Sequence, residues 1–80
     1  MLSGAQVRMA RAALGWGVRD LADKAGTTPG TISRIENGAD ALGGTLTKIE
    51  DALTSAGVVF LADGEMVSGG PGVRLRGDAK

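Results

Sequence analysis

The chain has 80 residues, 42% of them hydrophobic, with nine basic and nine acidic side chains and neither cysteine nor histidine. Lacking cysteine it can build no disulfide framework or thiolate metal site, and lacking histidine it has lost the commonest general base and metal ligand, so neither an enzyme nor a cofactor is expected. No apolar run approaches the roughly 20 residues that span a bilayer, and the first residues lack the order of a signal peptide, which predicts a soluble cytoplasmic domain with no membrane partner. A chain this short buries little surface, and pairing with a second copy is a natural supplement.

Ser3 is placed to cap a first helix over about Gly4–Leu14, with Val7, Ala10 and Leu14 at helical spacing and Leu2 available to staple its start. Gly15-Trp16-Gly17 is a connector, and the Trp16 ring is expected over the junction of the first two helices. From Val18 onward Leu21, Ala22 and Ala25 share a face whose small residues allow a close helix crossing, and Gly26 permits the left-handed turn that ends the helix. Thr28 then caps a third helix with Pro29 at its first position, where a missing N–H costs nothing. Ile32 and Ile35 point inward, which leaves Pro29, Gly30, Thr31, Ser33 and Arg34 to a partner until Asn37-Gly38 stops the helix. After a loop over 38–44, Thr45 opens a fourth helix to about Ala56, carrying Leu46, Ile49 and Leu53 on one stripe and ending at Gly57.

Beyond Gly57 the pattern changes. Val58–Leu61 is β-branched and aromatic, Val73–Arg76 alternates apolar with basic, and the turn-forming stretch between them makes a β-hairpin. An isolated hairpin is marginal in water and needs cover, from the fourth helix or from the same hairpin of a second copy. Val58, Val59, Phe60, Leu61, Val73 and Leu75 are therefore the candidate dimerisation residues. The expected organisation is a helical domain over 1–57, a hairpin over 58–76 and a disordered tail over 77–80.

Charge is unevenly spread: residues 1–38 hold five basic and three acidic side chains, a balance of +2, and residues 39–80 hold four and six, a balance of −2. The positive half coincides with the helix-turn-helix pattern of Val18–Asn37, the direction expected of a nucleic-acid binder, although the excess is small. For Arg8, Arg19 and Lys24 a solvated face and a phosphate contact are equally good readings. The glycines of the GGPG segment precede no Lys-Ser/Thr pair, so they read as linker, and Glu50 and Asp51, adjacent on a helix, read as charged surface.

With Arg11, Leu14-Gly15-Trp16, Leu21-Ala22, Ala25-Gly26 and above all the octet Thr31-Ile32-Ser33-Arg34-Ile35-Glu36-Asn37-Gly38, the chain resembles the Cro and phage-repressor-like helix-turn-helix regulators, the XRE family, over residues 2–57. The resemblance implies a mainly α, lambda-repressor-like four-helix domain, here followed by a strand pair, in a bacterial or phage protein. It implies that the second motif helix enters the major groove with Thr28, Pro29, Gly30, Thr31, Ser33 and Arg34 toward the bases. Arg34 is the expected guanine reader and Thr31 a reader of a thymine methyl, while Asn37, Val18 and Arg19 fall where relatives contact phosphates. Arg11 and Glu36 match the family's internal ion pair. Many relatives carry Ser and Gln where this chain has Gly17 and Val18, and a basic loop where it has Ala39-Asp40-Ala41. Direct readout is therefore expected to be thin, with DNA shape contributing and with affinity depending on a dimer whose recognition helices lie roughly 34 Å apart. The function implied is a dimeric, sequence-specific regulator, a repressor of a pseudo-palindromic operator in double-stranded DNA. The second reading is an antitoxin-like or accessory module whose hairpin grips another regulatory protein.

Overall fold

Ser3 Oγ accepts the Gln6 N–H at 3.1 Å while Gln6 Oε1 accepts the Ser3 N–H at 3.0 Å, a reciprocal capping box that starts the first helix. The computed structural model describes residues 2–41, 43–61 and 72–76. Within them the chain runs α1 (Gly4–Ala13), α2 (Val18–Ala25), α3 (Pro29–Glu36), α4 (Thr45–Ser55), β1 (Val58–Leu61) and β2 (Gly72–Leu75). The expected hairpin turn from Ala62 to Pro71 and the tail over 77–80 lie outside the described residues.

The helices end where the sequence provides for it. α1 stops at Ala13 with Leu14 as its cap, one residue earlier than the apolar spacing predicts. α2 closes through Gly26 at φ +70°, and the Thr27 N–H returns to the Ala22 carbonyl at 2.9 Å, satisfying a carbonyl the helix leaves open. α3 starts on Thr28, whose Oγ1 accepts the Thr31 N–H at 3.2 Å, with Pro29 following. α2 starts on Gly17, which has no hydroxyl to offer, so only half a capping box forms, from the Gly17 N–H to Asp20 Oδ2 at 2.8 Å.

Val7 and Ala10 of α1, Leu21, Ala22 and Ala25 of α2, Ile32 and Ile35 of α3, Ile49 and Leu53 of α4 and Val58 of β1 form one buried cluster. Each fully buried Leu, Ile or Val contributes about 1.5–3 kcal/mol, so this cluster is the main source of stability. Leu2, Leu14, Trp16, Val18, Leu46, Phe60 and Val73 flank it. At the start of α1, Gly4 lies against the end of α3. A β-carbon at Gly4 would collide with the Ile35 carbonyl oxygen and lie 3.1 Å from that of Glu36.

The strands pair antiparallel with Val58 opposite Leu75, Val59 opposite Arg74, Phe60 opposite Val73 and Leu61 opposite Gly72. β2 begins one residue earlier than the sequence pattern predicts. The ribbon is covered within its own chain, by α4 against β1 and by α1 against β2. The cover from α1 is the part the sequence pattern does not announce. It includes a polar clasp: Gln6 Nε2 donates to the carbonyls of Leu61 at 2.9 Å and Gly72 at 3.1 Å. Gln6 is buried, and these bonds use the donors that the capping box leaves over. No described helix is long and apolar enough to cross a membrane.

Candidate nucleic-acid interface

α3 has two unlike faces. Ile32, Ile35 and Glu36 are buried, while Thr28, Gly30, Ser33, Arg34 and Asn37 are exposed and Pro29 and Thr31 are half-buried. The 3.6-residue period alone explains the division, because the isoleucines three apart must share the inner face. The groups left on this face are the three hydroxyls of Thr28, Thr31 and Ser33, a guanidinium and a carboxamide, all able to donate hydrogen bonds.

These groups are connected. Thr28 and Thr31 Oγ1 are 2.9 Å apart, and Arg34 Nη2 donates to Thr31 Oγ1 at 3.3 Å. At the other end of α3, Asn37 is the C-cap, and its Oδ1 accepts from Arg8 Nη2 at 3.0 Å. Arg8 Nη2 also donates to the Glu36 carbonyl at 3.3 Å, placing a cation at the negative end of the helix. Arginine only donates, so the amide atom facing it is the oxygen, and Asn37 Nδ2 keeps both donors for another acceptor.

Behind this surface Arg11 joins three segments. Its Nε and Nη2 meet Glu36 Oε2 and Oε1 at 2.7 and 3.0 Å, and its Nη1 donates to the Trp16 carbonyl at 3.0 Å. The Trp16 N–H in turn donates to the Arg11 carbonyl at 3.0 Å, so one residue holds the connector by both its backbone and its side chain. The Glu36 hydrogen bond raises the Arg11 pKa, with desolvation opposing it and the Glu36 charge adding to it. Trp16 is half-buried against the core, and Lys24 Nζ stands 5.2 Å above its ring, a cation–π contact. Lys24 is therefore occupied at the connector.

Val18 is half-buried against the core and Arg19 is exposed beside it, at the start of α2. Of the six hairpin residues, Val58 is buried in the helical core, Phe60, Leu61 and Val73 are half-buried, and Val59 and Leu75 are the most exposed. Sequence reasoning missed Gln6, Gly4 and the engagement of Arg8 with α3. Of these only Gln6 carried a signal, the Ser-x-x-Gln spacing of a capping box.

A family model described as helix-turn-helix matches residues 7–55, more than half of the 80-residue chain. No curated protein matches the chain.

Proposed function

The chain belongs to the helix-turn-helix family of Cro- and XRE-like DNA-binding regulators, and we propose that it acts as a dimeric repressor, with α3 in the major groove and Arg34 reading guanine. The observation that carries this reading is the exposed face of α3, where Thr28, Thr31, Ser33 and Arg34 gather donors opposite the buried Ile32 and Ile35. A bidentate guanidinium contact to guanine O6 and N7 discriminates by roughly 1–3 kcal/mol, more than the threonine or serine hydroxyls offer. Asn37 and Arg8 at one end of α3, and Arg19 and the backbone at Val18 at the start of α2, are the phosphate contacts, which fix register. Pro29 and Gly30 present little beyond backbone and van der Waals surface, so sequence-dependent DNA shape shares in the recognition.

Dimerisation is assigned to the strand pair, where Val59 is 36% exposed on the outward face beside Arg74, and Leu75, on the opposite face and paired with the buried Val58, is 38% exposed. Joining two such ribbons would cover these side chains and remove a sheet edge. It would also give the symmetric pair of recognition helices that a pseudo-palindromic operator requires.

The test is binding to genomic fragments at several salt concentrations. Affinity is expected to fall steeply with salt, with one fragment retained over competitors and lost on Arg34→Ala. Equal binding of all fragments with Arg34→Ala neutral would leave the accessory-module reading in its place. Val59→Lys is expected to yield a monomer on sizing that keeps the helical fold and whose melting temperature no longer depends on protein concentration, and a persisting dimer refutes the assignment of the ribbon.

A further inference from the structure

Arg34 is an exposed arginine that is nevertheless held. Its Nη2 donates to Thr31 Oγ1 at 3.3 Å, and that hydroxyl is itself 2.9 Å from Thr28 Oγ1. Thr28 is fixed in turn as the helix cap, by accepting the Thr31 N–H. Positions 28, 31 and 34 recur every third residue, so the three side chains follow one face. Gly30 lies one turn before Arg34, and a β-carbon there would sit 3.8 Å from Nη1. The guanidinium is thus laid over the glycine, toward the N-terminal end of α3, the end that contacts bases in helix-turn-helix proteins.

We infer that Thr31 is a positioning residue for Arg34: its hydroxyl, anchored by Thr28, holds the guanidinium forward over Gly30, and its methyl group reads no base. This rests on the base-reading role proposed above for Arg34. The donor count permits it, because one of the five guanidinium N–H groups goes to Thr31 and a parallel pair remains for guanine. The benefit is entropic. A free arginine must be frozen from many rotamers when it meets a base, and one already tethered loses less on binding.

The test uses a duplex enriched from a random-sequence pool by the wild-type chain, with base preference measured position by position. Thr31→Val, which keeps the shape and removes the hydroxyl, is expected to lower preference about fivefold, the equivalent of one net hydrogen bond, at the base pair where Arg34→Ala acts. Thr31→Ser, which keeps the hydroxyl and removes the methyl, is expected to retain the wild-type profile. In the Arg34→Ala background Thr31→Val is expected to add nothing, and in either background Thr31→Val is expected to leave affinity for a scrambled duplex unchanged. Should Thr31→Val impair folding, Gly30→Leu displaces the guanidinium with every hydroxyl intact and is expected to shift preference at the same base pair. A wild-type profile for Thr31→Val, a lost preference for Thr31→Ser, or an effect of Thr31→Val that survives Arg34→Ala overturns the inference while leaving Arg34 as reader. If the pool yields no enriched duplex, or Arg34→Ala is neutral, the base-reading role falls and the inference with it.

Discussion

Arg11 and Glu36 face each other as two planar groups joined at two points, 2.7 Å from Nε to Oε2 and 3.0 Å from Nη2 to Oε1, with the carboxylate side chain only 5% exposed and the guanidinium 20%. The asymmetry of exposure decides which partner is costlier to lose. Without Arg11 a buried carboxylate is left with only Arg8 Nε at 3.6 Å, and the Trp16 carbonyl loses its donor. Arg11→Met is therefore expected to cost about 3 kcal/mol, the lower end for breaking a buried pair. Arg11→Met/Glu36→Leu, which removes both charges, is expected to recover at least half of that in urea denaturation; a double variant no more stable than the single one contradicts this account. A raised pKa in the fold means that the contribution of Arg11 is complete below its unfolded-state value and is lost only as pH rises through the folded one. Arg11 stays charged at neutral pH, so measurements at pH 7 and 8 are expected to give the same penalty from its side.

Gly4→Ala tests the approach of α1 to α3. In an ordinary helix this substitution stabilises by roughly 1 kcal/mol. Here the added β-carbon meets the Ile35 carbonyl oxygen, which belongs to rigid backbone. The expected result is a loss of about 1–3 kcal/mol, as for other overpacked sites. A stabilised Gly4→Ala in thermal unfolding would show that the two helix ends separate at little cost.

Gly17→Ser should do the reverse. Gly17 is extended at φ −80° and ψ 172°, the usual N-cap conformation, and a β-carbon there meets only Asp20 Oδ2 at an unstrained 3.6 Å. A serine hydroxyl completes the capping box that Asp20 half-forms, and the glycine's extra freedom in the unfolded chain is removed. The gain expected is about 0.5–1 kcal/mol, and an unchanged or lower melting temperature refutes it.

Much of this architecture is readable from the sequence because the deciding interactions are local. Thr28-Pro29, Gly26 and the isoleucines at 32 and 35 determine their own helix ends and inner faces through spacing and backbone chemistry, and these fell within a residue of the observed bounds. Gly4, Gln6 and Arg8 were opaque for the opposite reason. Gln6 meets carbonyls 55 and 66 residues away, Arg8 meets Asn37 across 29 residues, and Gly4 is required by another helix's backbone. No periodicity in the first ten residues encodes those partners. The same limit applies to the interface: Arg34 could be picked out as exposed, but its tether to Thr31 depends on rotamers.

Arg8 offers a way to separate phosphate contact from base reading. Its guanidinium turns Asn37 Oδ1 inward and so leaves the Asn37 amide donors for a phosphate, while adding its own charge beside them. Arg8→Ala is expected to weaken binding to all duplexes alike and to reduce the magnitude of the log–log salt slope by about 1, without changing base preference. A changed base preference, or an unchanged salt slope, contradicts the phosphate role.

Gln6 links the fold to the proposed assembly. Two carbonyls of the strand pair depend on its carboxamide, and every buried side-chain polar atom among the described residues has a partner, so its removal creates a defect that nothing nearby repairs. Gln6→Ala also deletes half of the α1 capping box. The expected cost is about 1–3 kcal/mol, felt first as faster amide exchange in Val58–Leu61 and Gly72–Leu75 than in α2 and α3. If the ribbon joins two copies, loosening it raises the dimer dissociation constant, and operator binding falls at low protein concentration but recovers at high concentration. Faster exchange in the strands with an unaltered dimer would place the subunit contact elsewhere on the molecule.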